Sequence, residues 1–123
     1  MKPSSNIKVT DQKDLKDRYG LLAKGILPAN EITEVFLASN FTDYVNLFFN
    51  ITNDSLSSSK VSIWVTNKYT PEREDLLESN IPLDAMLTYV RGPVLISTKE
   101  RIFMRADTDS VIYRLTGYDE RKL

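Results

Sequence analysis

The sequence predicts an all-β fold, a sandwich or a barrel of short antiparallel strands. From Tyr19 onward, short runs of β-branched and aromatic residues are interrupted by turn residues about every ten positions. Two of these runs alternate between apolar and polar residues, with the period of two that a half-buried strand requires. No run has a helical period long enough to indicate a coiled coil.

The length and the change in texture near Tyr19 predict one domain preceded by a polar arm. A chain of 123 residues can bury one hydrophobic core but not two. Residues 1–17 are rich in lysine and aspartate, with few apolar residues to bury. We therefore expect a flexible or extended N-terminal arm over 1–17, either free or ordered against a neighbouring subunit, and a β domain over 18–123.

The first runs of the domain are separated by clear turn signals. Residues 19–27 lead to a Pro-Ala-Asn turn at 28–30, and a second run follows over 31–39 and ends at Asn40. The next two runs, 43–52 and 60–67, alternate in polarity and flank a serine-rich stretch. This arrangement predicts a hairpin with a loop somewhat longer than the tightest turns.

The predicted hairpin leaves Phe48 and Trp64 on its outer face, directly opposite or diagonal to each other. Such a patch has three explanations: cover by another element of the domain, contact with another subunit, or a platform that stacks on sugar rings. Aromatic residues are enriched at the centre of subunit interfaces. The candidate interface residues are Phe48, Trp64, Tyr44 and Tyr69.

Residues 70–86 permit two readings. Thr70 and Pro71, followed by two acidic residues, are typical of a helix start. A loop that leads into a brief strand over 75–78 fits equally well, and Pro82 is expected to end either element.

The remaining sequence predicts further strands separated by turns. The expected turns lie at 91–93, 98–100 and 107–109, and the runs between and after them are apolar or alternating. The Asp-Thr-Asp turn at 107–109 resembles the start of a calcium loop. It lacks the glycine and glutamate that such a loop requires at its sixth and twelfth positions, where Ile112 and Tyr118 stand.

Composition and charge exclude several classes of function. The chain has no histidine and no cysteine, which removes imidazole catalysis, thiolate metal sites and disulfides. Lys plus Arg number 16 and Asp plus Glu 17, so the net charge of −1 provides no field that would attract nucleic acid. No apolar run approaches the roughly 18 residues of a membrane span. We expect neither a nucleic-acid partner nor a membrane partner.

No motif indicates catalysis or a cofactor. Two Ser-x-x-Lys spacings lie in exposed polar stretches rather than at helix starts, and the four glycines form no phosphate loop. Pairs of carboxylates occur, but their spacing alone does not place them in one cleft. The expectation is a protein that is not an enzyme, with no catalytic residues, cofactor or metal.

Residues 19–120 contain a characteristic order of turns and strands. It consists of a Pro-Ala-Asn turn, a strand ending in Asn, an acidic stretch before a proline loop, an apolar strand followed by Glu-Arg, and a Gly-containing acidic end. The corresponding positions are 28–30, Asn40, 75–78 with Pro82, 95–97 with 100–102, and 117–120. This layout resembles small structural proteins of tailed bacteriophages, of the kind found in marine myoviruses.

The resemblance implies an antiparallel, jelly-roll-like β-sandwich that is present in many copies on the virion. The implied role is a capsid decoration or a component of the tail or baseplate, made in the host cytoplasm. Its partners would be other capsid or tail subunits and further copies of itself. The alternative is a carbohydrate-binding module that recognises the host from a phage tail.

Overall fold

The computed structural model describes residues 17–122, which form a β-sandwich. Within that range no helix is long and apolar enough to span a membrane. The only helical element there is a single 3₁₀ turn over Arg73–Asp75. The eight strands are β1 (Arg18–Ile26), β2 (Thr33–Leu37), β3 (Thr42–Asn53), β4 (Ser59–Thr66), β5 (Leu76–Leu83), β6 (Thr88–Ser97), β7 (Arg101–Ala106) and β8 (Val111–Arg121).

The strands form two antiparallel sheets of four. Sheet A has the order β1-β8-β3-β6, and sheet B has the order β2-β7-β4-β5. Most consecutive strands therefore lie in opposite sheets, and only β4 and β5 are neighbours both in sequence and in a sheet. This is the strand order of a jelly roll, so the predicted all-β sandwich is confirmed.

The core lies between the inward faces of the two sheets. From sheet A, β3 contributes Val45, Leu47, Phe49 and Ile51, all fully buried as the alternation of that strand predicts. From sheet B, Ile63 and Met104 lie opposite each other on β4 and β7 and are also fully buried. Burial of such side chains contributes about 1.5–3 kcal/mol each relative to exposure.

The predicted hairpin between the two alternating runs is wrong. The two runs are β3 and β4, and they belong to different sheets. The serine-rich stretch between them crosses from one sheet to the other. The apolar residues predicted to face inward are nevertheless buried in β3, and in β4 Val61 and Ile63 are buried, because both arrangements bury the same side chains. Ser62 and Thr66 of β4, which the alternation places outside, are buried as well.

Two proline-containing segments also differ from expectation. The stretch after Thr70 forms the 3₁₀ turn and then β5, which continues past Pro82 to Leu83. The predicted turn at 91–93 lies inside β6, where the register with β3 shifts between Leu47 and Phe49. Both strands lie at a sheet edge, where a proline without an N–H group removes no essential ladder bond.

The other predicted turns are present. Asn30 and Lys99 have positive φ angles of 57° and 64° in the turns at 28–30 and 98–100. The Asp-Thr-Asp turn joins β7 to β8 across the two sheets. The Oδ1 atom of Asp107 accepts hydrogen bonds from Ser59 Oγ and Lys60 N, both at 2.8 Å. Both bonds lower the pKa of Asp107, and the bond from Lys60 N has the larger effect.

Asn53, at the end of β3, ties three chain segments together. Its side chain is fully buried, and Nδ2 donates to the carbonyl oxygens of Ser57, Leu83 and Asp84 at 2.7, 3.0 and 3.3 Å. Its Oδ1 accepts a bond from Ser110 Oγ at 2.9 Å. Because both ends of the amide have partners, its burial carries little desolvation penalty.

A buried charge cluster lies near the end of β8. The side chains of Asp119 and Arg121 are 1% and 3% exposed and are 3.0 Å apart. Arg18 approaches the same carboxylate at 3.0 Å, and Thr42 Oγ1 donates to it at 2.9 Å. Arg121 also donates to Ser39 Oγ at 2.8 Å. The cluster fixes β8 to β1 and to the β2–β3 connection.

The predicted N-terminal arm lies outside the described residues except for Asp17. Its carboxylate accepts a hydrogen bond from the backbone N–H of Arg121 at 2.8 Å and another from the hydroxyl of Tyr118. Asp17 thus belongs to the sandwich through contacts with β8.

Candidate interaction surface

The outer face of sheet A carries cross-strand rows of large side chains. Tyr19 on β1 lies directly opposite Tyr118 on β8, and their rings stack with centroids 6.2 Å apart. The row continues through Asn46 on β3 to Leu95 on β6. Three of the four outward positions in this row are therefore aromatic or aliphatic.

The next row contains Phe48. It pairs with Thr116 on β8, which in turn pairs with Leu21 on β1. On its other side, the Phe48 ring covers Gly92 of β6: a Cβ added to Gly92 would lie 2.9 Å from Phe48 Cγ. We name the two rows the sheet A patch, which consists of Tyr19, Leu21, Phe48, Leu95 and Tyr118.

The sheet A patch is exposed to an unusual extent for a solvent-facing sheet. Antiparallel sheets with one wet face normally place polar residues there. Here the exposed fractions are 76% for Tyr19, 64% for Leu95, 43% for Leu21, 41% for Phe48 and 37% for Tyr118. Exposed apolar side chains grouped on one face make this surface a candidate site of interaction with another molecule.

Tyr118 is anchored by the carboxylate of Asp17. This hydrogen bond to an anion, followed by desolvation, raises the pKa of Tyr118 to about 12. The pKa of Asp17 is lowered, first by the bond from Arg121 N and then by the bond from Tyr118. The pair holds the Tyr118 ring beside Tyr19.

The pKa of Tyr118 predicts a specific alkaline effect on stability. Because the folded value lies above the ordinary value of 10.0, the stabilisation is complete below pH 10. It is lost as the pH rises from 10 to about 12, since only the unfolded chain loses the proton readily. We expect Tyr118→Phe to show a shallower decline in the free energy of unfolding over that range, measured by urea denaturation.

Asp17→Asn provides the matched control for Tyr118→Phe. It keeps the phenol but removes the charged acceptor, so the pKa of Tyr118 should fall towards its ordinary value in a spectroscopic phenolate titration. A titration that is unchanged in Asp17→Asn would contradict this assignment of the pKa shift.

Tyr44 borders the sheet A patch on β3 and points outward as the alternation predicts. Its side chain is half-buried, and its hydroxyl donates to Glu120 Oε1 at 2.6 Å. This bond, followed by the charge of Glu120, raises the pKa of Tyr44. Tyr44 therefore lies on the same face as Phe48, and its hydroxyl group is occupied by the hydrogen bond to Glu120.

Trp64 does not share a patch with Phe48, and that part of the sequence prediction is wrong. Trp64 lies on β4 in sheet B, opposite Phe103, whereas Phe48 lies on the outer face of sheet A. Trp64 is half-buried. Because the core separates the two side chains, they cannot form one subunit contact or one platform for a sugar ring.

Tyr69 lies apart from both aromatics, in the segment after β4. It is 83% exposed, and its ring covers the guanidinium of Arg101, whose Cζ lies 4.3 Å from the ring centroid. The four candidate residues thus occupy three places, and only Tyr44 and Phe48 lie on the same face of one strand.

Sequence reasoning missed Tyr19, Tyr118 and Leu95 as members of the surface. The alternation in β8 places Tyr118 outward, opposite to the buried Leu115 and Asp119. Their grouping depends on the pairing of β1 with β8 and of β3 with β6. No local pattern contains that information.

The comparisons with known proteins give only weak structural likeness. No family model matches the chain, and no curated protein matches it. One solved structure that it matches is a pentameric capsid protein isolated from metagenomic phage sequences. The match is 16% identical, covers 98% of this chain and 77% of the other, and has a TM-score of 0.42. Neither the sequence identity nor the TM-score is high enough to transfer a role to this chain.

Proposed function

We propose that the chain is a virion structural protein of a tailed bacteriophage, of the marine myovirus type. It assembles in many copies, as a capsid decoration or as a component of the tail or baseplate. Its partners are other virion subunits and copies of itself, and it performs no catalysis. It is made in the host cytoplasm and functions on the particle.

The sheet A patch is the observation that carries this proposal. Five large apolar or aromatic side chains lie in two adjacent rows of one sheet, and all are more than a third exposed. Burial of this surface against a neighbouring subunit would contribute about 25 cal/mol of favourable free energy for each Å² of apolar area removed from water. A rigid sheet also presents the side chains without ordering a loop, which lowers the cost of association.

The fold and the sequence layout support the same role. Jelly-roll sandwiches form many viral capsid domains, although they also occur in lectins. A fold alone does not determine a function. The layout of turns and strands over residues 19–120 resembles small phage structural proteins, which favours the virion over the other uses of this fold.

Mass spectrometry of purified particles tests the virion role. The experiment uses a phage that encodes this chain, and compares the abundance of its peptides with those of the major coat protein. A copy number comparable with that of the coat or tail subunits would support the proposal. Absence from intact particles, with the chain present in infected cells, would overturn it. Immunogold labelling would then separate head from tail.

Phe48→Asp tests the contact surface itself. A charge in the centre of the sheet A patch should weaken assembly by about tenfold or more, because a desolvated unpaired carboxylate is strongly unfavourable. Sedimentation of the recombinant chain and incorporation into particles are the measurements. Leu56→Asp is the matched control, since Leu56 is 90% exposed and lies in the β3–β4 connection.

The two variants together give a clear outcome. Phe48→Asp should keep the circular dichroism and the urea midpoint of a folded sandwich while it loses assembly. If both variants assemble as well as the wild type, the sheet A patch is not a subunit contact.

A further inference from the structure

A pocket lined by both polar and apolar side chains lies between three connections that join strands of the sandwich. They are the segment after β2, the segment after β4 and the β6–β7 turn. The cavity has a volume of about 480 Å³, which is within the range of small-molecule sites. We name it the Tyr69 pocket, and the lining residues used below are Ser39, Asn40, Asn67, Tyr69, Lys99 and Arg101.

The Tyr69 ring, which forms one side of the pocket, is positioned by Arg101. The guanidinium of Arg101 lies 4.3 Å from the centroid of the Tyr69 ring, within the range of a cation–π interaction. Arg101 Nη1 in turn donates to Glu34 Oε1 at 2.8 Å. Glu34 and Arg101 therefore position a ring that is 83% exposed, and the ring offers the solvent a flat apolar surface.

The pocket carries the positive charge of Lys99, which has no ion-pair partner among the described residues. Among residues 17–122, no carboxylate lines it. The charge of Arg101 is balanced by Glu34. Lys99, on the β6–β7 turn, makes no ion pair with any residue in that range. An anionic group in the pocket would therefore meet one uncompensated ammonium.

Two side-chain amides are available beside this charge. Asn40 and Asn67 are exposed, and neither side chain hydrogen-bonds to another residue of the described part of the chain. By contrast, Ser39 Oγ already contacts Thr42, Phe41 N and Arg121. Each free amide can donate two bonds and accept two, which suits neighbouring hydroxyl groups on one ligand.

We propose that the Tyr69 pocket binds an acidic sugar, that is, a ring that carries a carboxylate, such as a uronic acid unit. Tyr69 stacks on the apolar face of the sugar ring, Asn40 and Asn67 bond its hydroxyls, and Lys99 pairs with its carboxylate. A bare inorganic anion has no ring to stack on Tyr69, and a neutral sugar has no charge to pair with Lys99. The proposal does not depend on the virion role or on the sheet A patch.

Titration followed by amide NMR tests this proposal with three probes. They are glucuronate, glucose and inorganic phosphate; glucose has the same ring with a hydroxymethyl group in place of the carboxylate. We expect saturable shifts in the side-chain amides of Asn40 and Asn67 with glucuronate, and binding about threefold to fivefold weaker with glucose. Absence of saturable shifts with glucuronate, equal affinity for glucose, or the same shifts with phosphate would each overturn it.

Variants assign the contacts. Lys99→Gln should remove the preference for glucuronate over glucose, whereas Lys24→Gln, on β1 of the other sheet, should retain it. Tyr69→Ala should lose binding, and Tyr69→Phe should keep it because the ring remains. If Lys99→Gln keeps the preference, or if Tyr69→Phe loses binding, the proposed roles of these residues are wrong.

Discussion

Gly117→Ala is expected to destabilise the sandwich by about 3–6 kcal/mol, a large part of the total stability of about 5–15 kcal/mol of a small domain. Gly117 lies on β8, where β3 passes very closely. An added Cβ would overlap the carbonyl oxygen of Asn46 and lie 3.0 Å from Leu47 Cα. Because these are backbone atoms of a central strand, no side-chain rotation can relieve the overlap. Urea denaturation followed by Trp64 fluorescence measures the loss.

Gly20→Ala separates steric overlap from backbone strain. Gly20 pairs with Gly117 and has a φ of 99°, but an added Cβ would meet nothing within 4 Å. Its cost should therefore be backbone strain alone, about 1–3 kcal/mol. If Gly117→Ala lowers the free energy of unfolding no more than Gly20→Ala does, β3 does not approach β8 closely enough to exclude a Cβ at position 117.

Asp119→Ala should destabilise the fold by about 3–5 kcal/mol, because it leaves a buried guanidinium without its counter-charge. The side chain of Arg121 is only 3% exposed, and among residues 17–122 its Nε has no hydrogen-bond partner. It depends on Asp119 for charge balance. Thermal and urea unfolding at neutral pH measure the effect.

The double variant Asp119→Leu/Arg121→Met is the matched control. It removes both charges and fills the site with apolar side chains, so it should be more stable than Asp119→Ala. The effects of the substitutions at Asp119 and Arg121 on the free energy of unfolding should therefore not be additive. A double variant that is less stable than Asp119→Ala would indicate that hydrogen bonds to Thr42 and Ser39, rather than charge balance, dominate the cluster.

The inward residues could be predicted from sequence, but the sheet to which each strand belongs could not. In β3 and β4, alternation correctly identifies Leu47 and Ile63 as core residues. A hairpin within one sheet and a crossing between two facing sheets bury the same alternating set. Periodicity cannot distinguish these two arrangements, so it cannot establish whether Phe48 and Trp64 share a face.

The two prolines within strands could not be predicted from the local sequence for a related reason. Pro82 and Pro93 lie in strands, yet sequence rules place prolines in turns or at strand ends. Both strands are edges of their sheets, where an N–H group is dispensable. Which strand is an edge follows from the complete topology, so a local rule could not anticipate it.

The interaction surface was predictable only in part. Alternation identifies Tyr44 and Phe48 as outward residues, and both lie on the outer face of sheet A. The partners of Phe48 in the patch come from β1, β6 and β8, which are remote in the sequence. The Tyr69 pocket likewise depends on three connections that only the folded chain brings together.

The central place of β8 in sheet A has a consequence for the order in which the chain can fold. β8 is hydrogen-bonded to both β1 and β3, so neither strand has its partner on that side until residues 111–121 have left the ribosome. Of the six strand pairings, only β4 with β5 joins consecutive strands. Such non-local pairing slows folding to about milliseconds to seconds. Sheet A therefore closes late, and its exposed aromatic rows come into register only when synthesis of β8 is finished.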